Sequence, residues 1–132
     1  MGALAIGAVA LVAILARTDT PAPDTGHSPM VAVSVPTLDA AETRGAALFA
    51  THCQSCHGAD GAGRAGVGPP LVHVIYEPGH HPDGAFHAAV QLGVRAHHWD
   101  FGDMPRLPDL SEPQIASIIA YVRALQRANG IF

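Results

Sequence analysis

Two thiols and an imidazole stand together in Cys53-Gln54-Ser55-Cys56-His57, and their spacing decides what they can do. Cysteines three apart, followed directly by histidine, form C-x-x-C-H, the pattern that attaches a c-type haem. Each thiol can form a thioether to a vinyl group on one edge of the porphyrin. The adjacent histidine is then carried over the ring face, where a neutral imidazole can ligate iron. The same thiols could instead form a disulfide, a redox pair or half of a zinc site. A zinc site needs further ligands, however, and these are the only two cysteines in the chain. A thioredoxin-like pair does not require His57, and no βαβ pattern surrounds this one. The motif therefore predicts covalent haem attachment.

The rest of the chain must position that motif. Its 132 residues hold one domain and some extra. A net charge of −4 argues against a nucleic-acid partner, because phosphate binding wants a clustered basic face. All seven basic residues are arginine. Three sections are expected. Residues 1–17 begin with an uncharged apolar run, slightly short of the roughly 20 residues that span a bilayer. They read as a transmembrane anchor or, second, as a cleaved signal segment. Residues 18–36 are rich in proline, threonine and aspartate and read as an extended tether, with Met30 to Val35 able to lie as a short extended segment against the domain. Residues 37–132 form the globular domain.

Within that domain the periodicity is helical throughout. Asp39-Ala40-Ala41-Glu42 opens a helix with an acidic first turn, and Leu38, Ala41, Gly45, Leu48 and Phe49 share its apolar face. Residues 58–70 are a glycine-rich loop. No strand precedes it and Pro69-Pro70 closes it, so it is not a phosphate loop. Leu71, Val72, Val74 and Ile75 supply apolar pocket or core packing. Asp83 reads as the N-cap of a helix carrying Phe86, Ala89, Val90 and Val94, ended near Gly93. Residues 95–103 form an irregular loop whose Trp99 and Phe101 are the aromatics best placed to cover a porphyrin. Ser111-Glu112-Pro113-Gln114 announces the last helix, with Ile115, Ile118, Ile119, Val122 and Leu125 at helical spacing. Arg123 and Arg127 suit its C-terminal end, and Gly130 stops it. No strand pattern appears, so the domain is expected to be all-α.

From Leu38 to Leu125 the chain resembles a class I c-type cytochrome, the monohaem cytochrome c family, of a membrane-anchored bacterial type. The resemblance rests on spaced features together: Gly45 and Phe49 before Cys53, the C-x-x-C-H motif, Gly68-Pro69-Pro70-Leu71, Gly102-Asp103-Met104-Pro105, and Ile118-Ile119-Ala120-Tyr121-Val122. It implies a cytochrome c fold of three to four helices around one covalent haem c and its iron. It further implies that Cys53 and Cys56 hold the haem and His57 is the proximal ligand. The Pro69 carbonyl would accept from the other imidazole nitrogen, Met104 would be the distal ligand, and Gly45 and Phe49 would pack against Tyr121 where the first and last helices cross. The chain departs from the mitochondrial members in having no lysine ring. Arg64, Arg95, His73 and Trp99 are the candidates for contacting the haem propionates.

Met104 has competitors for the sixth iron position in His97 and His98, and it could also serve only as packing. Methionine would raise the reduction potential and close the iron. His73, His80, His81, His87, His97 and His98 raise the idea of a second metal. Adjacent histidines tend to point apart, and two surface loops need not meet, so these are expected to be solvated or to contact propionates. The function expected is one-electron transfer, not enzyme catalysis, because no acid–base constellation is visible. The resemblance implies a place on the periplasmic face of a bacterial inner membrane, or a soluble periplasmic form after signal cleavage. Its partners would be a quinol-oxidising complex, a terminal oxidase or a photosynthetic reaction centre. The alternatives are a fixed haem subunit of a dehydrogenase or oxidase, or a ligand-binding sensor or peroxidase with an open sixth position.

Overall fold

The protein is described by a computed structural model covering residues 28–132. The expected anchor, and the tether as far as residue 27, lie outside the described residues. The order of elements is α1 (Ala40–His52), α2 (Gln54–His57), a 3-10 turn (Ala59–Gly61), a second 3-10 turn (Val74–Tyr76), α3 (Asp83–Leu92) and α4 (Glu112–Ala128). Among the described residues there is no strand, only the isolated bridges Arg64–Gly68 and Val94–Met104. The domain is all-α, as its periodicity predicts. No helix among the described residues is long and apolar enough to cross a membrane.

Local signals explain where the helices begin and end. The Asp39 carboxylate accepts from the backbone N–H of Ala41 (2.7 Å) and Glu42 (2.8 Å), and Glu42 reaches back to the Asp39 N–H at 2.9 Å. This reciprocal box satisfies donors that no helical turn can satisfy. At α4 the Gln114 carboxamide oxygen takes the Ser111 N–H at 2.9 Å, with Pro113 in the first turn. At α3 the N-cap is Pro82 rather than the expected Asp83. The Asp83 carboxylate is instead engaged by Arg123 (Nε–Oδ1 2.8 Å).

The core lies where α1 crosses α4. Gly45 marks the crossing: a Cβ there would stand 1.9 Å from the Ser117 carbonyl oxygen and 2.9 Å from the Tyr121 Cβ. The two backbones therefore touch directly. One turn on, Phe49 meets Tyr121 edge to face, with ring centroids 5.6 Å apart, a favoured aromatic geometry. The Tyr121 hydroxyl donates to Asp60 at 2.6 Å, tying α4 to the turn after the C-x-x-C-H helix. Burial and then Asp60 push the Tyr121 phenol up. Leu110, Ile115, Ile118, Val122 and Leu125 complete the core.

Two polar residues of α4 are buried beneath it. The sequence suggested Arg123 as a charge favouring the helix C-terminus, yet it is only 7% exposed. Its guanidinium donates to Asp83, to the carbonyls of Tyr76 (2.8 Å) and His81, and to the Gln126 side chain (2.6 Å), and it lies over the Phe86 ring. Gln126 donates in turn to the carbonyls of Leu71 (2.9 Å) and Tyr76 (3.0 Å). These side chains do for residues 71–81 what a strand ladder would otherwise do: they satisfy backbone groups turned inward. Arg123→Leu is expected to lower stability by about 2–3 kcal/mol, since it strips partners from buried carbonyls. Denaturant unfolding of the haem-loaded protein measures it; a loss below about 0.5 kcal/mol would mean the network is dispensable. Within the same segment Val72 is buried, but Val74 is 60% exposed and does not join the core expected of it.

The stretch 28–36, expected to end the tether, is held against the domain. The N–H groups of Met30 and Val31 donate to the Ala62 carbonyl at 3.0 and 3.1 Å. Ser34 and the Asn129 side chain exchange two hydrogen bonds of 2.9 Å. Val31 and Val33, two residues apart and so on one side of an extended chain, pack on the core. Val35 is half exposed.

Candidate functional site

The C-x-x-C-H motif sits where α1 breaks and α2 begins. Cys53 caps α1, its N–H donating to the Phe49 carbonyl at 2.8 Å, while its own carbonyl accepts from Cys56 (3.1 Å) and His57 (2.9 Å). Residues 53, 56 and 57 stand at i, i+3 and i+4, the spacing that places side chains on one helical face. Cys53 is buried and Cys56 exposed. Burial, and then the neighbouring Cys56, push the Cys53 thiol up to about 11.

His57 Nδ1 lies 2.9 Å from the Pro69 carbonyl oxygen. A carbonyl can only accept, so Nδ1 carries the proton and Nε2 presents its lone pair. Burial holds the imidazole below its usual value, opposed by the hydrogen bond to Pro69. A buried, neutral, orientated imidazole is the form that ligates a metal.

Met104 reaches the same region from another direction. Its backbone pairs with Val94 on both sides, Val94 N–H to Met104 O at 3.0 Å and Met104 N–H to Val94 O at 2.9 Å. Gly93, at φ +77°, turns the chain from α3 into this pair, and a Cβ there would meet the Met104 carbonyl oxygen at 2.7 Å. Only glycine accepts both the left-handed backbone and the close approach. The Leu107 N–H then returns to the Val90 carbonyl at 2.7 Å. Met104 is thus fixed by its neighbours' backbone, although it belongs to no regular element.

Cys53, Cys56, His57 and Met104 all border one cavity of about 500 Å³, whose remaining walls are mostly apolar, Phe49, Ile118 and Val122 among them, with His52, Tyr76, His81, His97 and His98 also bordering it. That size lies in the range of small-molecule and cofactor sites. Trp99 and Phe101 stack at its edge, with centroids 5.7 Å apart and planes 9° from parallel. The Trp99 indole N–H is buried and has no hydrogen-bond partner of good geometry among the described residues, even though the Tyr76 phenol is near enough to feel it. A buried donor left without an acceptor costs about 1–3 kcal/mol, and a cofactor carboxylate is the kind of group that would remove that cost.

The donors present fit an iron porphyrin: two thiols on one helix face, a neutral imidazole beside them, a thioether sulfur bordering the same space, and an orphaned N–H. An all-α shell enclosing an apolar cavity beside C-x-x-C-H is the architecture of a small protein with covalently attached haem. The chain belongs to the cytochrome c family, whose family model, Cytochrome c, matches residues 42–126, more than half of its length. Its cofactor is accordingly haem c with its iron, and its activity is that of a haem c electron carrier of class I. Among curated proteins and among solved structures, nothing matches the chain.

Other residues singled out in the sequence fall in different places. Arg64 donates to the Ser55 carbonyl and so closes the loop 58–70 back onto the motif helix. His87 pairs with Glu112, joining α3 to the start of α4. His27 lies outside the described residues. The sequence reading missed the Asp60–Tyr121 bond and the burial of Arg123. For Arg123 a signal was present, since it continues the apolar row 115, 119, 123 at steps of four. The two histidine loops, which need not have met, do meet: His80, His81, His97 and His98 form one group, with His97 and His98 centroids 4.2 Å apart. His98 is held below its usual value by desolvation and then by His97, His81 and His80.

Proposed function

We propose that this protein is a mobile one-electron carrier whose haem is joined through thioethers to Cys53 and Cys56 and whose iron is held by His57 and Met104. The observation that carries the reading is the shared cavity. An imidazole already orientated through Pro69 and a methionine pinned to Val94 border the same apolar space as both cysteines. The bound haem supplies an iron that exchanges one electron. The chain's own residues do the rest. Pro69 fixes the His57 tautomer and raises its basicity as a ligand. Phe49, Ile118 and Val122 exclude water, which favours the less charged state of a buried centre. Met104 would supply a second iron ligand, so that electrons would pass without ligand exchange.

The wider setting belongs to the same proposal. The apolar run at 1–17 supports retention on the periplasmic face of a bacterial inner membrane, with the domain serving a quinol-oxidising complex on one side and an oxidase or a photosynthetic reaction centre on the other. The lack of lysine argues against docking through a basic ring.

The test is carbon monoxide. The reduced protein at neutral pH is expected to bind none on mixing, because Met104 holds the position. Fast, complete binding would show an open site and sink the closed-carrier reading in favour of a sensor or peroxidase.

A further inference from the structure

We propose that His80, His81 and His98 form a binding site for one divalent transition cation, separate from the haem iron, at the rim of the haem cavity. The three come from two loops, 77–82 before α3 and 95–103 before Met104. Their ligand nitrogens nevertheless all lie within 4.8 Å of one another. Ring centroids are 4.7 Å apart for His80–His81, 5.4 Å for His80–His98 and 5.3 Å for His81–His98. His97 stands beside them, 4.2 Å from His98 and 6.2 Å from His81.

Hydrophobic packing does not account for this gathering, since His80, His97 and His98 are exposed. Hydrogen bonding does not account for it either, because no bond joins one ring to another. What the arrangement offers is lone pairs. His81 Nδ1 lies 2.6 Å from the Ile75 carbonyl, so that nitrogen carries the proton and Nε2 is left as a donor. His97 Nδ1 is fixed in the same way by the Arg95 carbonyl at 2.8 Å. An imidazole anchored through one nitrogen to a carbonyl, with the other left available, is the usual disposition of a metal-ligating histidine.

The loop beneath is also held firmly. Arg123 and Gln126 bind the carbonyls of Tyr76 and His81 from below, so His81 is a fixed ligand. His80 and His98, exposed on either side, can close the remaining distance by side-chain rotation. Metal–nitrogen bonds of about 2.0–2.1 Å place tetrahedral ligand atoms roughly 3.4 Å apart, so closing the separations by at most about 1.4 Å suffices. His97 or water would take the fourth position. Three imidazoles and no carboxylate select zinc, copper(II) or nickel and disfavour calcium and magnesium, which want oxygen.

Zinc is the probe, because it is redox-silent and the haem-loaded protein has no thiol left to compete for it. Full-length ferrous cytochrome would be titrated with zinc chloride at neutral pH by calorimetry and histidine NMR. One equivalent is expected to bind, shifting the ring signals of His80, His81 and His98 together. His80→Gln and His98→Gln, both surface changes, should each weaken binding at least about tenfold, while their visible spectra stay those of wild type. His87→Gln, outside the cluster, should leave the affinity unaltered. Absence of binding in wild type overturns the proposal, as does binding that His80→Gln and His98→Gln leave intact or that His87→Gln weakens equally.

Discussion

Met104→Ala is expected to convert the protein from a closed carrier into an open haem protein. The weak sulfur-to-iron band at the red end of the oxidised visible spectrum should disappear. The reduced form should gain carbon monoxide binding, and the midpoint potential should fall by on the order of 100 mV or more. That fall is a modest share of the roughly 0.8 V range that axial ligands command. The direction follows from the ligand: thioether sulfur stabilises ferrous iron relative to water or imidazole. The fold should survive, because Met104 is held by backbone pairing with Val94 that alanine retains. The competing candidates, His97 and His98, stand instead in the group they form with His80 and His81. A wild type lacking the sulfur band, with a bis-histidine spectrum that Met104→Ala leaves unchanged, would transfer the sixth position to one of them. Visible spectroscopy with potentiometric titration reads both outcomes.

Gly45→Ala carries the largest expected structural effect. In an ordinary helix interior this change helps by about 1 kcal/mol. Here the new Cβ would stand 1.9 Å from the Ser117 carbonyl oxygen and 2.6 Å from its carbon. Both are backbone atoms of α4, so no side chain can rotate away and the helices must separate. Overpacking costs about 1–3 kcal/mol, occasionally more, and backbone against backbone belongs at the upper end. A net loss of about 3 kcal/mol would lower the melting temperature by on the order of 10–20 °C for a domain of this size. Separation would also loosen Phe49 from Tyr121 and so disturb the wall beside Cys53. Gly84→Ala supplies the contrast: it is helical too, with nothing within 4 Å of its Cβ position, and is expected to be neutral or slightly stabilising. Thermal unfolding of the haem-loaded variants decides. If the two changes cost the same, the crossing does not depend on Gly45.

What the sequence disclosed follows the range of the forces involved. Helix ends were legible because their determinants are local: Asp39 with Glu42, Ser111 with Gln114, Gly93 after α3. The C-x-x-C-H site was legible because its chemistry is written into five consecutive residues. Asp83 illustrates the limit. Its position suited an N-cap, but an arginine from another helix, 40 residues on, took the carboxylate. The inward turn of Arg123 likewise depends on carbonyls from a segment without regular structure, which periodicity does not describe. The meeting of His80, His81 and His98 required two loops to converge, and loop geometry is set by the anchors below rather than by the histidines themselves. Val74 faces solvent because a run of apolar residues in a 3-10 turn does not share one face.

The backbone pair between Val94 and Met104 has a consequence for how this chain can vary. It closes the 95–103 loop at its neck, so the methionine's place is set by the two bonds at the base and not by the length of chain between them. Closing a longer flexible loop is inexpensive, about 0.6 kcal/mol for each doubling. Residues inserted near Asp100 would then lengthen a hanging loop without displacing the sulfur at its foot. Descendants of this sequence are free to lengthen or redecorate that loop, altering what they greet at the haem edge, while Met104 stays where α3 puts it.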